Sequence, residues 1–201
     1  MLILLRCLEK PINNEYFCCS ISTKMIETLI SSKTRVKLLL KFFLNSNTTA
    51  YLRSLQGEFG ESTNGIRIEL NRMENAGMLT SKAVGNKKVF QANTKYPLYK
   101  EINSIIMKYV GLDSIIENVV ERLGAVEQVY LAGEFSKGLD SQVIDLIFVG
   151  DIDKSYLISL IEKSEELIKR KIRYLVYSTE EGKSIDWGQF EPKPLLLWSA
   201  D

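Results

Sequence analysis

Histidine is absent from the 201 residues, and the three cysteines, Cys7, Cys18 and Cys19, all fall within the first nineteen positions. A Cys/His zinc site therefore lacks donors over nearly the whole chain, and neither a metal nor another cofactor is expected. Also missing is any apolar run long enough to cross a bilayer, so no membrane partner is expected. Charge of neither sign is in excess, because 26 Lys and Arg stand against 25 Asp and Glu, for a net charge of +1. That balance excludes a global electrostatic pull toward nucleic acid, and any such affinity has to come from a local concentration of cations. No signal peptide's basic start and small-residue cleavage site is visible. With an odd number of cysteines and the vicinal Cys18–Cys19 pair, this points to a reducing, cytoplasmic location.

What is present is a globular composition, 45% apolar and 25% charged, too apolar for a disordered chain. Strong periodicity begins around Met25, so residues 1 to 24 read as an extension, either an added strand or a loosely held segment. From Lys33 to Leu44 the apolar Val36, Leu40, Phe43 and Leu44 share one helical face, which predicts a first helix buried on a wide stripe. Asn45 to Thr49 is rich in capping residues and Leu52, Leu55 and Phe59 follow at helical spacing, placing a second helix from about Thr48 to just before Gly60. Ser62 then caps a third, on which Ile66, Leu70 and Met73 recur at i, i+4 and i+7 until Gly77 stops it. After Gly77 the period changes to that of strands, and Met78 to Val84 and Lys87 to Ala92 flank a Gly85-Asn86 turn as a β-hairpin.

Three helices followed by a hairpin is the order of a winged helix-turn-helix, whose third helix enters the major groove while the hairpin reaches the flanking backbone. Asn64, Arg67, Asn71 and Glu74 project opposite the apolar stripe of that third helix. Arg forks onto a guanine edge and Asn onto an adenine edge, so the surface is chemically suited to reading bases. Thr63, Asn64, Arg67, Asn71 and Arg72 on the helix, with Lys82, Lys87 and Lys88 on the hairpin, are the candidate DNA contacts. Lys33, Arg35, Lys37 and Arg53 are further phosphate candidates. The run from Ser32 to Asn93, with Leu52 to Leu55 and Ile68 to Leu79 as its most specific parts, resembles the arsenical-resistance-repressor-like winged-helix superfamily. That resemblance implies binding to double-stranded DNA as a homodimer. The metal sensing common in the superfamily is not implied, since no Cys or His cluster lies in or around these residues.

Beyond the hairpin, Leu98, Ile102, Ile105, Ile106, Tyr109 and Val110 mark an amphipathic helix, and Leu112, Ile115, Ile116, Val119, Val120 and Leu123 mark another after Gly111. The stripe Leu98, Ile102, Ile105 and Tyr109 is the expected dimer seam. From Gln128 the pattern is strand (Val129 to Ala132), loop, strand (Ile144 to Val149), helix (Tyr156 to Lys171) and strand (Ile172 to Tyr177), as in a small α/β domain. The apolar Trp187 to Phe190 and Pro194 to Trp198 are expected to pack back on this domain or across a dimer.

The stretch from Leu131 to Gly150 resembles the signature of minimal nucleotidyltransferases. In that family a Gly-Ser pair opens a phosphate loop and an Asp-x-Asp pair on the next strand holds divalent metals. Carboxylates at i and i+2 of a strand face the same side and can share Mg²⁺, which neutralises a triphosphate. Here Gly133 matches the glycine, Glu134 replaces the serine with a charge that opposes phosphate, and Lys137 and Gly138 fit the loop. Asp145 matches the second metal aspartate, Val143 stands where the first belongs, and Arg173 stands near the third carboxylate's place. Asp140 lies in the loop, while Asp151 and Asp153 read as turn and helix-cap residues. The resemblance therefore implies a degenerate nucleotide site at Gly133, Glu134, Lys137, Gly138, Asp145 and Arg173, with no catalytic or metal-ligating residue.

The expected fold class is α+β, with two cores. Residues 25–95 form the winged helix-turn-helix, residues 96–125 the connecting helices and residues 126–201 the nucleotidyltransferase-like α/β domain. The expected function is a DNA-binding transcriptional regulator whose second domain senses a small anionic or nucleotide effector or binds a partner. The rival is an active nucleotidyltransferase, and Glu134, Val143 and Arg173 are the residues that discriminate against it.

Overall fold

The computed structural model describes residues 30 to 200, so the extension expected over residues 1 to 24 lies outside the described residues. The architecture is α+β, with a three-stranded sheet in the first half and a four-stranded sheet in the second. Helix α1 starts at Lys33–Leu39, where the Ser32 hydroxyl caps it by accepting from the Arg35 amide at 3.2 Å. It continues without a break as a π-helical turn, Leu40–Leu44. Instead of a single buried stripe, every residue from Leu38 to Leu44 is buried, Lys41 included. Asn103 satisfies the end of this helix by donating to the Phe43 carbonyl at 2.6 Å, so the carbonyl is not left orphaned in an apolar setting.

Strand β1, Thr49–Tyr51, replaces the first turn of the second helix expected from Thr48. Its three residues pair antiparallel with the hairpin, Ala50 opposite Phe90, and this long-range pairing overrides the local capping signal. Helix α2 then runs Leu52–Phe59 and α3 runs Thr63–Asn75, with Ser62 accepting from the Gly65 amide at 3.3 Å. Strands β2, Leu79–Val84, and β3, Lys87–Ala92, form the hairpin with Val84 opposite Lys87 across a two-residue turn. Arg35 ties α1 to α3 through Glu69, Nε to Oε2 at 2.9 Å. Burial pushes the Glu69 carboxyl up, but hydrogen bonds and the charges of Arg35 and Arg72 outweigh it and hold its pKa below the usual carboxylate range.

Helix α4, Tyr99–Val110, ends at Gly111, and α5 follows as Leu112–Ile115, a π-helical turn at Ile116–Val120 and Glu121–Leu123. On α4, Leu98 and Ile105 are exposed as a seam requires, but Tyr109 is buried. Tyr109 therefore belongs to the core and not to the expected dimer stripe. The second sheet has the order β6-β5-β4-β7, built from β4 (Val126–Ala132), β5 (Val143–Gly150), β6 (Lys171–Tyr177) and β7 (Leu195–Ser199). The short helix α6, Gly133–Ser136, stands where a loop was expected. Helix α7, Lys154–Ile168, crosses between the parallel β5 and β6, and Asp153 caps it by accepting from the Ser155 and Tyr156 amides. After α8, Thr179–Ser184, the C-terminal apolar residues pack back on this sheet, β7 pairing antiparallel with β4 and the Trp187 ring stacking on Tyr130 at 4.1 Å.

The two expected cores are one. A single buried cluster runs from Val36 through Phe42, Phe43, Leu70, Val110 and Ile115 to Val129, Phe148 and Ile172. The joint lies where the π-helical turn of α1 meets the segment after α6. Gly138, at φ +74, rests against the Lys41 main chain, and a β-carbon there would come within 2.5 Å of the Lys41 α-carbon. Asn45 donates to the Ser136 carbonyl at 3.2 Å across the same joint. The buried Lys41 ammonium is neutralised by Glu58 at 2.6 Å, without which its desolvation would be costly.

This geometry gives a matched pair of substitutions. Gly85, also at positive φ, has nothing near its missing β-carbon, so Gly85→Ala should cost only the left-handed backbone strain, about 1–2 kcal/mol. Gly138→Ala should cost that plus about 1–3 kcal/mol of overpacking. Urea unfolding of both variants checks it, and equal losses would show that Gly138 is not a packing position.

Candidate nucleic-acid interface and candidate acidic site

The apolar stripe of α3, Ile66, Leu70 and Met73, is buried, and this orients the opposite face outward. Asn64, Arg67 and Asn71 are exposed on that face and Thr63 is half-buried at its start. The Arg67 guanidinium donates to Asn64 Oδ1 at 2.8 Å, which holds it extended along the helix. Arg72 leans instead toward Glu69 at 3.3 Å, away from the other reading candidates. Glu74 faces the hairpin, accepting from Lys88 at 2.6 Å and from Ser81 at 2.5 Å. Those two bonds, Lys88 first, hold its carboxyl below the usual range. Sequence periodicity alone had put Glu74 on the reading face.

The outer part of the hairpin, Ser81 to Lys88, is exposed along its whole length. Lys82 stands on β2, while Lys87 sits over the Tyr51 ring at 4.4 Å and Lys88 over Phe90 at 5.1 Å. The structure brings Arg53, Arg67, Asn71, Lys87 and Lys88 around one hollow of about 420 Å³ between α3, the start of α2 and the hairpin. Thr63, Arg72 and Lys82 are not among its lining residues. Two phosphate candidates are engaged elsewhere, Arg35 with Glu69 and Lys37 with Glu61 at 2.7 Å. Two residues escaped the sequence reading. Tyr51 was absorbed into a helix, and Ile68, exposed on α3, breaks the apolar periodicity in a way that marks an outward methyl surface able to meet a thymine methyl.

In the second sheet, Ala132, Asp145 and Arg173 are aligned across β4, β5 and β6. Parallel pairing of β5 with β6 fixes Arg173 beside Asp145, and its Nε donates to Oδ1 at 2.6 Å. The carboxylate in turn holds the Arg173 pKa above its ordinary value. Gly133, at φ +63, has its bare α-carbon against the same carboxylate, and a β-carbon would overlap it. Asp145 is thereby enclosed by a cation on one side and main chain on another. Val143 lies half-buried two residues before it on the strand, and offers no ligand on that face. Lys137 pairs with Glu134 at 3.0 Å, and Asp140 with Arg170 at 2.8 Å. Gly138 rests against the Lys41 main chain at the α1 joint. Among the described residues no three His, Cys, Asp or Glu side chains converge to hold a metal ion, and no helix is long and apolar enough to cross a membrane.

No protein-family model and no curated protein matches the sequence. Among solved structures, a Sulfolobus solfataricus protein assigned as a nucleotidyltransferase is similar at 22% identity and a TM-score of 0.31, covering 45% of this chain and 78% of its own. A likeness at this level carries no argument about the site, which rests on its own geometry.

The contact between Gly133 and Asp145 can be measured by a double-mutant cycle. Gly133→Ala should cost about 1–3 kcal/mol less in an Asp145→Ala background than in the parent, because the overlap is gone while the backbone strain stays. Strictly additive losses in urea unfolding would show that the two residues do not touch.

Proposed function

We propose that the chain is a sequence-specific regulator of transcription that binds double-stranded DNA, with α1 to α3 and the β2–β3 hairpin acting as a winged helix-turn-helix. The observation that carries this reading is the shared hollow. Arg67 and Asn71 on an outward helix face stand beside Lys87 and Lys88 on an exposed hairpin, which supplies base-edge donors and phosphate-binding cations from two adjoining elements. Asn64, Thr63 and Ile68 extend the reading face, and Arg72 and Lys82 extend the charged border. A homodimer through α4, with Leu98, Ile102 and Ile105 in the seam, would present two such faces to a two-fold operator.

In this reading the four-stranded sheet and its helices form a sensor or interaction module that performs no nucleotidyl transfer. What supports this is the pairing of Asp145 with Arg173 and the valine at position 143. A carboxylate held by a guanidinium, with no second acid two residues away, gives poor purchase to Mg²⁺. The effector of such a module would be a small anionic or nucleotide ligand that competes with Asp145 for Arg173 and with Glu134 for Lys137. The rival reading is an active nucleotidyltransferase in which Asp145 parts from Arg173 to take a metal.

Salt-titrated mobility shifts on selected and random duplexes test the DNA assignment. Arg67→Ala and Asn71→Ala should each relax sequence preference by about 1–3 kcal/mol, whereas Lys87→Ala or Lys88→Ala should weaken all sequences and lower the salt slope by about one. Equal losses on both duplexes for all four variants would remove the base-reading role. A labelled-NTP assay with protein, RNA and small acceptors tests the second half. No labelled product is expected with Mg²⁺ or Mn²⁺, and product that disappears on Asp145→Ala would install the enzyme reading instead.

A further inference from the structure

A groove of about 380 Å³ lies between α1, the end of α3, the α3–β2 link and α4. On α4, Ile102, Ile105 and Ile106 fall at i, i+3 and i+4 and so share one face. Leu39, Met73 and Ile106 are buried and give the groove its depth, while Ile105 stands half out of it. Ala76, the exposed cap of α3, carries only a methyl group at the mouth and leaves it open. The only polar residues that line the groove are Arg35 and Arg72, and no carboxylate does. These two guanidiniums share the single acid Glu69. Arg35 donates to both of its oxygens, at 2.9 and 3.3 Å, whereas Arg72 reaches it once at 3.3 Å with its side chain 63% exposed. Two cations against one carboxylate leave one positive charge at the edge of an apolar groove.

Such a groove matches a molecule with an apolar body and one negative head. A phosphate dianion exceeds the single spare charge, and its desolvation against Leu39 and Met73 is penalised. A neutral hydrocarbon fills the depth but leaves the guanidinium without a partner. Hollows of this size take small molecules, and the lining is methionine and branched aliphatic side chains with no aromatic ring, which suits a flexible chain over a flat one. We propose that the groove binds a free medium-chain aliphatic carboxylate, its tail against Leu39, Met73 and Ile106 and its head group on Arg72, and that this ligand opposes the DNA-binding dimer. The opposition rests on the function proposed above. There Ile102 and Ile105 belong to the dimer seam and Arg72 to the charged border, so ligand and dimer draw on the same side chains, and each weakens the other.

Calorimetry on the full chain with decanoate, kept below its micelle concentration, tests the site. Octanoate should bind about 15-fold more weakly, at about fourfold per methylene group. Arg72→Gln should weaken decanoate about tenfold and leave decanol unchanged, a selectivity that a merely sticky apolar surface lacks. Ala76→Trp fills the mouth from an exposed position and should abolish binding of both. Light scattering reads the opposition, because saturating decanoate should convert dimer to monomer. No binding, or binding that ignores both Arg72→Gln and Ala76→Trp, overturns the site. If decanoate fails to bind while Ala76→Trp breaks the dimer, the groove is the seat of a second copy and the proposal falls. Decanoate bound as described to a dimer that stays intact overturns the opposition. A chain that is monomeric without any ligand sinks the seam of the proposed function, and the carboxylate site then stands or falls on its calorimetry.

Discussion

The contact of Gly138 with the main chain of Lys41 is the constraint on which the arrangement of the two sheets depends. A helix buried on every side needs a partner on every side, and the π-helical end of α1 has α4 on one flank and the segment after α6 on another. Only a residue without a β-carbon lets that segment approach closely enough to exclude water from Phe42 and Phe43, each worth about 1.5–3 kcal/mol in burial. Asn45 and Ser136 then close the polar side of the joint, and Glu58 closes the charge on Lys41. From this joint the contacts continue through Lys37 and Glu61 to the end of α2 and through Arg35 and Glu69 to α3.

Charge is distributed in a way that the net value of +1 conceals. Around the second sheet four cations face carboxylates: Arg173 with Asp145, Lys137 with Glu134, Arg170 with Asp140 and Lys171 with Glu165. At the first sheet, Arg53, Arg67 and Lys87 converge on a hollow that no acid lines, and of the hollow's cations Lys88 alone is tied to a carboxylate there, that of Glu74. A nearly neutral protein thus carries a local positive face at a hollow that no acid lines.

Those parts of the fold set by neighbours in sequence were legible, and those set by partners far along the chain were not. Ser62, the spacing of Ile66, Leu70 and Met73, and the Gly85-Asn86 turn specify α3 and the hairpin locally, and each appears where its signal lies. Thr49–Tyr51 carries a capping signal as well as strand-forming residues, and only the presence of β3 beside it resolves the ambiguity. Hence Tyr51 was lost from the site. The apolar stripe of α4 does not reveal that Tyr109 faces the core while Ile105 faces outward. The sequence places a lone aspartate at 145 and an arginine at 173. Their meeting depends on the parallel register that α7 imposes between β5 and β6, which no local pattern encodes.

Synthesis from the N-terminus meets the same joint in time. The residues of α1 leave the ribosome long before Gly138, and roughly 100 residues at about 5–20 per second leave that flank of the helix uncovered for on the order of 5–20 s. During that interval the first sheet and its helices can assemble, but Phe42 and Phe43 still lack part of the cover that the finished chain gives them. The nascent first half is therefore the stage at which this protein is most open to chaperone capture or to association with its own copies, and completion of the β4–β5 connection is the event that ends it.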